Sequence, residues 1–361
     1  MKIGLYSPFL ADNIGGGERY LLTVAECLLP DHEVDLIVPS IDLQLKSKFI
    51  DNFHLKLEKL NLVIGPFSPA SSFLSRTKFT RNYDIFYYVT DGSFFIPRAK
   101  KINAVHFMIP FNRRPGLWQK HKLNFWQIKT ANSFFTKNYL EKNWKIKINL
   151  VHWGAVDPAV FYPMKKKNIF LNVGRFFSPF GNKHCKKQDF LVKTFKKMCD
   201  KGLTGWQLVL NGSADKGKDN FNYLKRVRRL AKGYPIIFHN QGSFKTLQQD
   251  YGRAKIYWHA TGYGLDERAN PQAMEHLGMS TVEAMSAGAV PAVINQGGQP
   301  EIVTHEVNGL LWQSQSQLIS RTLTLIKDEP FREKLAKAAL QRAEDFSKAK
   351  FCQQTRRIFN L

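Results

Sequence analysis

Residues 275–301 read EHLGMSTVEAMSAGAVPAVINQGGQPE, and the rest of the chain can be interpreted outward from this stretch. The pattern predicts a turn at Gly278 and a helix from about Ser280, with Glu275 before the turn and Glu283 in the helix's first turn. The unpaired first amides of a helix, together with its dipole, bind phosphate. A carboxylate instead accepts hydrogen bonds from sugar hydroxyls. The stretch therefore predicts a ligand that carries both a phosphate and a sugar.

Length and charge bound the class of protein. A chain of 361 residues is long enough for two domains, each with its own core. The formal net charge is +24, divided into +8 (21 minus 13) for residues 1–163 and +16 (32 minus 16) for residues 164–361. Such a charge attracts nucleic acid, anionic lipid or phosphorylated ligands. A basic surface that is merely solvated is the alternative.

The cysteines and the apolar segments bear on the compartment. Cys27, Cys185, Cys199 and Cys352 are scattered without metal-ligand spacing, which is typical of a reducing cytoplasm. The sequence enters its first strand without a signal-peptide pattern, and no apolar run approaches membrane-spanning length. We expect a cytoplasmic protein, either free or peripheral on the inner face of the cell membrane.

The first half opens on a strand, a glycine loop and a helix. The strand covers Lys2 to Tyr6, the loop Asp12 to Gly17, and Glu18 to Leu29 has apolar residues at helical spacing. Glycines let backbone amides approach a phosphate closely, so Gly15 and Gly16 are candidate phosphate contacts. The loop lacks the spaced glycines of the dinucleotide fingerprint, and a plain βα turn is the alternative.

Later strands of this half end in polar residues. Residues 55–63 predict one or two strands. Of the two strands predicted next, one ends before Asp91 and the other ends at His106. Ligands of parallel sheets bind at the carboxyl ends of strands, so these two side chains are candidates, although a lone histidine is often structural. The aromatic and basic segment at 111–122 predicts an acceptor-side or membrane-facing edge, or else a plain surface helix. Its candidates are Arg113, Arg114 and Trp118.

A second series of strands and helices follows a linker at residues 161–167. One strand ends at Gly174 and Arg175, a helix is predicted over Lys186 to Met198, and the next strand ends at Asn211. Two such series predict two facing Rossmann-like α/β domains with a ligand in the cleft between them.

The linker sets the predicted domain boundaries. We place an N-terminal, acceptor-side domain at residues 1–163 and a C-terminal, donor-side domain at residues 164–345. The last helix, at about 346–361, is expected to pack back on the first domain.

Taken together, these motifs resemble those of the retaining glycosyltransferases of family 4, and the resemblance covers most of the chain. Glu275 and Glu283, with seven residues between them, reproduce that family's paired-glutamate motif. The other matching positions are Gly15-Gly16-Gly17-Glu18, His106, Gly154-Ala155-Val156-Asp157, Phe161, Pro163, Val173-Gly174-Arg175-Phe176, Lys186, His276-Leu277-Gly278, Thr281 to Met285, Gly288, Pro291, Gly297-Gly298, Glu301 and Asn308-Gly309-Leu310. The resemblance implies a GT-B fold of two facing Rossmann-like domains.

The resemblance also implies roles for four catalytic residues. Arg175 and Lys186 would neutralise the departing nucleoside diphosphate, which needs cations or amide dipoles. Glu275 would bind hydroxyls of the donor sugar, and His106 would face that sugar. Lys183 and Lys187 compete with Lys186 for the lysine's role.

Donor binding is implied at ten positions, and Glu283 among them would bind the ribose. They are Gly15, Gly16, Gly174, Asn211, Gly278, Met279, Ser280, Thr281, Val282 and Glu283. No metal site and no cofactor are predicted; the co-substrate would be a nucleoside-diphosphate sugar, most simply a GDP- or UDP-sugar. The implied reaction moves a hexosyl group, with retention of configuration, to a glycan, a lipid-linked acceptor or a small molecule.

Two other interpretations remain open. A phosphorylase or a sugar epimerase can have the same fold, although no lysine here is marked as a pyridoxal carrier. A non-catalytic protein that binds nucleotides or nucleic acid would use the +24 charge. Under the transferase interpretation we expect no specific nucleic-acid partner, and an anionic membrane surface is a further candidate partner.

Overall fold

A computed structural model describes residues 1–10, 15–41, 44–68, 70–179, 184–214, 217–240 and 242–361. It divides into two compact units, Met1–Ala155 with Lys348–Leu361, and Val156–Ser347. Residues 12–14 of the predicted loop from Asp12 to Gly17, and the competing Lys183, lie outside the described residues.

The first unit is built on a seven-stranded parallel sheet. Its strands are β1 (Lys2–Tyr6), β2 (Glu33–Val38), β3 (Asn61–Ile64), β4 (Ile85–Thr90), β5 (Ile102–Phe107), β6 (Ile128–Ala131) and β7 (Leu150–Val151). Their order is β3-β2-β1-β4-β5-β6-β7, so the chain reverses direction across the sheet between β1 and β4. The segment predicted to hold one or two strands contributes β3 alone.

Five helices precede the second unit. They are α1 (Gly16–Leu28), α2 (Leu45–Phe53), α3 (Phe73–Thr80), α4 (Leu117–Leu123) and α5 (Phe134–Trp144). In α1 the apolar residues at helical spacing, Tyr20, Leu21, Val24 and Leu28, are all buried in the core beneath the sheet. Ser133 caps α5 as its sequence predicts, because its side chain accepts a hydrogen bond from the N–H of Thr136.

The second unit is built on a six-stranded parallel sheet. Its strands are β8 (Lys167–Val173), β9 (Gln207–Asn211), β10 (Ile236–His239), β11 (Ala254–His259), β12 (Val290–Ile294) and β13 (Leu310–Trp312). The order is β10-β9-β8-β11-β12-β13, and the reversal falls between β8 and β11. In open α/β sheets, ligands bind outside the carboxyl ends of the strands at such a reversal.

Among the described residues, seven α-helices belong to this unit. They are α6 (Gln188–Asp200), α7 (Lys218–Ala231), α8 (Phe244–Arg253), α9 (Met279–Ser286), α10 (Gln299–Ile302), α11 (Gln315–Lys327) and α12 (Glu329–Ala343). The core between sheet and helices is aromatic at its centre, where Phe170 stacks on both Trp206 and Trp258 at 4.6 Å between ring centroids.

The last helix, α13 (Lys348–Ile358), belongs to the first unit and packs on α1. A disulfide joins Cys27 to Cys352, and Arg356 pairs with Asp31 at 2.5 Å. Disulfides are typical of oxidising compartments. The cysteine spacing in the sequence favoured a reducing cytoplasm and did not predict this disulfide. In the described part of the chain, no helix is long and apolar enough to cross a membrane.

Candidate functional site

The carboxylate of Glu275 is the centre of a buried polar cluster in the second unit. Lys186 Nζ donates to Glu275 Oε2 at 2.5 Å, and His259 Nε2 lies 2.8 Å from the same oxygen. His184 Nε2 is 3.5 Å away, and its ring stacks on His276 at 5.1 Å. The cluster thus joins the end of β11, the loop before α6 and the turn before α9.

Glu275 is ionised in this cluster. Burial by itself would raise the pKa of its carboxyl group, but the Lys186 ammonium and the two neighbouring imidazoles outweigh burial and hold the pKa well below its ordinary value. Burial lowers the pKa of both His184 and His259, so these imidazoles are neutral. A buried anion with one cationic partner and neutral donors is suited to accept hydrogen bonds from hydroxyls.

Two glycines let Lys186 reach this position. A Cβ at Gly174 would lie 2.7 Å from Lys186 Cγ, and a Cβ at Gly212 would lie 2.1 Å from the carbonyl oxygen of Gly174. The prediction that Lys186 begins a helix is wrong, because Lys187 precedes α6 with φ 55° and the helix begins at Gln188. Lys186 therefore lies in the loop, where its side chain can turn toward Glu275.

Gly278 and the paired glycines after β12 shape the turn that follows Glu275. Gly278 has φ 110°, and a Cβ there would lie 2.1 Å from Gln299 Nε2. Gly297 and Gly298 pack directly on the backbone of the turn, and the Gly298 N–H donates to the Glu275 carbonyl at 2.7 Å. Side chains at these glycines would push the turn apart.

Helix α9 begins directly after this turn, with Gly278 as its N-cap. The N–H groups of Thr281 and Val282 both donate to the Gly278 carbonyl, which leaves those of Met279 and Ser280 without an acceptor among the described residues. Met279 and Ser280 are partly exposed, so their amides are available to an anion. Thr281 is committed to Gln299 at 2.9 Å, and Val282 is fully buried in the core.

Glu283 lies in the second turn of α9, since the helix begins at Met279, one residue earlier than predicted. The prediction of a first-turn position is therefore wrong. Its carboxylate is buried and accepts a hydrogen bond from Tyr251 at 2.6 Å. Tyr257 contacts the segment between Glu275 and Glu283, because its hydroxyl donates to Ser280 Oγ at 2.8 Å. Burial first, and then Glu275 and Glu283, raise the pKa of Tyr257.

Arg175 and Asn211 flank the cluster at the ends of neighbouring strands. The Arg175 guanidinium lies over the Phe177 ring at 4.6 Å, and the adjacent Gly174 N–H donates to the Asn211 carbonyl. Asn211 is the last residue of β9, as predicted, and its amide donates to Asp250 at 2.7 Å. Both residues thus lie at the carboxyl edge of the sheet.

His184, His259, Tyr251 and Tyr257 were not among the predicted site residues. One signal could have indicated two of them. Tyr257 and His259 are two positions apart on β11, so they point to the same side of the sheet. Polar side chains on a strand at the sheet's reversal point are candidates for a ligand-facing position.

The loop after β11 also packs on this region. Glu267 accepts a hydrogen bond from the Gly297 N–H at 2.7 Å, while Asp266 accepts from the N–H groups of Arg268 and Ala269 within its own turn. Glu267 thus fastens the loop to the paired glycines.

In the first unit, the two glycines that begin α1 have open space around them. Gly15 is the N-cap in an extended conformation, and a Cβ at Gly16 or Gly17 would meet no atom within 4 Å. The packing of the chain itself therefore does not require glycine at positions 16 and 17.

His106 lies in the interior of the first unit and is fully buried. Its Nδ1 is 2.7 Å from Thr130 Oγ1 and 3.1 Å from the hydroxyl of Tyr20, which also contacts Tyr87 at 2.7 Å and His152 at 2.5 Å. Burial, and then His152, hold the pKa of His106 well below its ordinary value. The imidazole is thus a neutral member of a closed polar network, and within this unit it has no exposed face.

The predicted acceptor-side residues lie on the exterior of the first unit. Asp91 is exposed and accepts from Tyr88 and from the N–H and hydroxyl of Ser93. Arg113 and Arg114 are exposed, and Trp118 is 61% exposed with its ring stacked on His121. Asp91 thus organises its own turn.

The two parallel-sheet α/β units have the GT-B fold. The sequence profile of the family described as "Glycosyl transferases group 1" matches residues 159–342, about half of the chain. The chain belongs to the glycosyl transferases group 1 family.

Solved structures share this fold over nearly the whole chain. A glycosyltransferase from Rickettsia africae ESF-5 superposes with a TM-score of 0.72 at 15% identity, covering 99% of this chain and 98% of its own. Sucrose-phosphate synthase from Thermosynechococcus elongatus gives 0.71 at 16% identity, covering 99% and 98%. Anabaena HepE in complex with UDP and glucose gives 0.70 at 16% identity, covering 99% of both chains. At these identities the similarity establishes the fold alone.

No curated protein sequence matches the chain. Within the described ranges, no group of three or more His, Cys, Asp and Glu side chains is arranged to hold a metal ion.

Proposed function

We propose that the protein is a retaining glycosyltransferase of family 4, which moves a hexosyl group from a nucleoside-diphosphate sugar to an acceptor hydroxyl without a metal ion. One observation carries the proposal: the Glu275 carboxylate lies 2.5 Å from the Lys186 ammonium, beside free helix amides, at the reversal point of the sheet. An anionic acceptor for hydroxyls thus lies next to cationic and amide donors for phosphate.

The leaving group is a nucleoside diphosphate, whose charge increases as the glycosidic bond breaks. Arg175 and Lys186 supply cations for it, and the N–H groups of Met279 and Ser280 supply amide dipoles. Gly174 and Gly278 contribute backbone contacts to the donor in this proposal; side chains there would displace Lys186 and Gln299. Asn211 is retained as a donor contact because it ends the adjacent strand.

Glu275 accepts hydrogen bonds from the donor sugar, and Glu283 accepts from the ribose hydroxyls. The Tyr251 hydroxyl donates to Glu283 at 2.6 Å, which supports a role as hydrogen-bond acceptor for that carboxylate. The paired-glutamate motif thus holds two different parts of one ligand. Neither glutamate acts as a general acid or base.

The first unit is the acceptor-side domain in this proposal. Gly15 and Gly16 approach the phosphates, which the space around Gly16 supports. His106 faces the donor sugar, which requires that its buried network opens or rearranges in the ligand-bound state. The bond from the anomeric carbon to the β-phosphate oxygen breaks while the bond to the acceptor oxygen forms on the same face. The acceptor's proton passes to the departing β-phosphate.

The donor is a GDP- or UDP-sugar. Anabaena HepE, which shares the fold, has been solved with UDP and with UDP-glucose, and this supports uridine first. The test is a screen of GDP-, UDP- and ADP-sugars, with affinities measured and the anomer of the product assigned by NMR. Inversion at the anomeric carbon, or loss of turnover with EDTA, would contradict the retaining and metal-free parts respectively.

The acceptor is a glycan or a lipid-linked sugar, and the protein acts at an anionic membrane surface. Residues 92–140 contain nine Lys and Arg residues and no Asp or Glu. Within this range Leu117 and Trp118 are 89% and 61% exposed on α4. Lys122 lies over the Phe73 ring of α3, where Leu74 is 74% exposed. Exposed apolar side chains among cations are suited to anionic lipid.

The two alternative classes of protein predict different experimental outcomes. A phosphorylase would release a sugar phosphate from a glycan and inorganic phosphate, and an epimerase would convert one nucleotide sugar into another without an acceptor. A nucleic-acid binder would show salt-sensitive binding to random DNA and no affinity for nucleotide sugars.

A further inference from the structure

His259 is the last residue of β11, and its imidazole is fully buried against Glu275. Its Nε2 lies 2.8 Å from Glu275 Oε2 and 3.1 Å from Thr261 Oγ1. Lys186 and His184 contact the same carboxylate oxygen. In the described part of the chain, every contact of this carboxylate is made through Oε2, so Oε1 has no hydrogen-bond donor there.

These contacts fix the tautomer of His259. Because Glu275 is ionised, its carboxylate can only accept hydrogen bonds. The proton of the imidazole must therefore lie on Nε2, since a bare Nε2 at 2.8 Å would place two lone pairs against each other. Burial favours the neutral imidazole, so Nδ1 carries a lone pair.

That lone pair has no use in the fold. Nδ1 of His259 is buried and has no hydrogen-bond partner among the described residues. A buried acceptor without a partner is destabilising, and an apolar side chain at the end of a buried strand would avoid this loss. The charge-assisted contact with Glu275 is the interaction that offsets it.

We propose that His259 is a positioning residue for Glu275. Its neutral Nε2–H and the Lys186 ammonium together hold Oε2, which restricts rotation of the carboxylate and keeps the lone pairs of Oε1 for a hydroxyl of the bound sugar. A neutral donor does this without adding a second positive charge beside Lys186. The role rests on the proposed function, because it requires Glu275 to bind the donor sugar.

The test compares His259→Leu with His259→Gln in the full chain. Leucine removes the donor at similar volume, whereas the glutamine amide can donate one hydrogen bond to Glu275. We expect His259→Leu to lower kcat/KM roughly tenfold or more, with affinity for UDP within about threefold, because UDP lacks the sugar. His259→Gln should recover most of the lost activity.

His32 is the matched control. Both of its ring nitrogens are buried without a hydrogen-bond partner in the part of the chain that the structure describes, and it lies in the turn between α1 and β2. His32→Leu should leave kcat/KM unchanged. The proposal is overturned if His259→Leu matches His32→Leu in kcat/KM, or if His259→Gln is as impaired as His259→Leu while both still bind UDP.

A second readout does not depend on turnover. Nitrogen-15 spectra of labelled imidazoles, assigned by comparison with His259→Gln, should show a neutral His259 protonated at Nε2 at pH 7. An imidazolium, or a proton on Nδ1, would overturn the proposal even if the enzyme is active. If the wild-type protein transfers no sugar from any donor, the proposed function fails, and the spectra alone decide whether His259 donates to Glu275.

Discussion

Lys186 and Glu275 are 89 positions apart in the chain, yet the lysine ammonium lies 2.5 Å from the glutamate Oε2. The pair joins the loop before α6 to the turn before α9 at the point where the second sheet reverses its strand order. Removing one partner of a buried ion pair leaves the other charge uncompensated. Substitutions at Lys186 and Glu275 should therefore affect both the stability of the fold and the rate of sugar transfer.

Glu275→Gln should abolish most of the transfer. The amide keeps the shape of the side chain but replaces the anion with a weaker acceptor, so we expect kcat/KM to fall about 100-fold or more. Affinity for UDP should change little, whereas the unfolding midpoint should fall, because the buried Lys186 ammonium loses its carboxylate partner. The matched control is Glu306→Gln, which alters an exposed acid of the same unit. Unchanged turnover in Glu275→Gln would contradict the assignment of the sugar site.

Lys186→Met should move the acidic limb of the pH–rate profile. Burial raises the pKa of Glu275, but Lys186, the largest of the lowering influences, together with His184 and His259 holds that pKa well below its ordinary value. Without the ammonium, burial raises that pKa, so the active carboxylate is lost at a higher pH than in the wild type. Lys187→Met, at the neighbouring position, should leave the limb in place. An unmoved limb in Lys186→Met would show that Glu275 does not govern it.

The ion pair between Lys186 and Glu275 also makes the stability of the fold depend on pH. The folded pKa of Glu275 lies below its unfolded value, so the pair stabilises the fold above the unfolded pKa and loses this contribution as pH falls through the folded pKa. Acid unfolding of Lys186→Met should therefore begin at a higher pH. Circular dichroism between pH 3 and pH 6 measures this difference directly.

The sequence predicted the fold class because short apolar runs alternate with segments whose apolar residues recur at helical spacing. This pattern is typical of parallel strands joined by crossover helices. It also predicted the pairing of Glu275 with a helix N-terminus, since both lie in one continuous stretch. The network around the carboxylate was not predictable in the same way. His184 and His259 reach it through the register of β8 and β11 and a left-handed Lys187, a conformation that sequence patterns do not mark for lysine.

His106 shows the opposite limit. The sequence predicted its place at the end of a strand, but its burial depends on three distant partners. Tyr20 comes from α1, Thr130 from β6 and His152 from the loop after β7. A pattern within one strand carries no information on such partners, so position alone could not distinguish a ligand contact from a buried network.

The disulfide between Cys27 and Cys352 should stabilise the first unit. It links α1 to α13 across 325 residues of chain, and closing so long a loop restricts the unfolded state. Cys352→Ser should lower the free energy of unfolding by about 2–5 kcal/mol, measured by urea denaturation without reductant. Cys199→Ser, which alters a free thiol, is the control. Equal stability of Cys352→Ser and the wild type without reductant would show that the bond does not form.

His152 should make the first unit acid-sensitive. Burial lowers its pKa to about 4, against an ordinary value of 6.5. A depressed pKa means that the unfolded chain binds the proton first, so stability falls as pH drops below about 6.5. Between pH 7 and pH 5 we expect a loss of about 2 kcal/mol from this residue. His152→Gln should remove that part of the pH dependence, whereas His121→Gln, on the exposed α4, should not.

Leu117 and Trp118 should anchor the protein to anionic lipid. Both are exposed on α4, in a segment whose only charged side chains are cationic, so attraction and apolar insertion act at one place. The double substitution Leu117→Ser and Trp118→Ser should weaken co-sedimentation with phosphatidylserine-containing vesicles about tenfold or more. Val307→Ser, which removes an exposed apolar residue of the second unit, should have little effect. High salt should weaken binding of the wild type. Since the substitutions remove no charge, residual binding of the double variant should be abolished by salt; if it binds as tightly as the wild type, the contact lies elsewhere on the +24 surface.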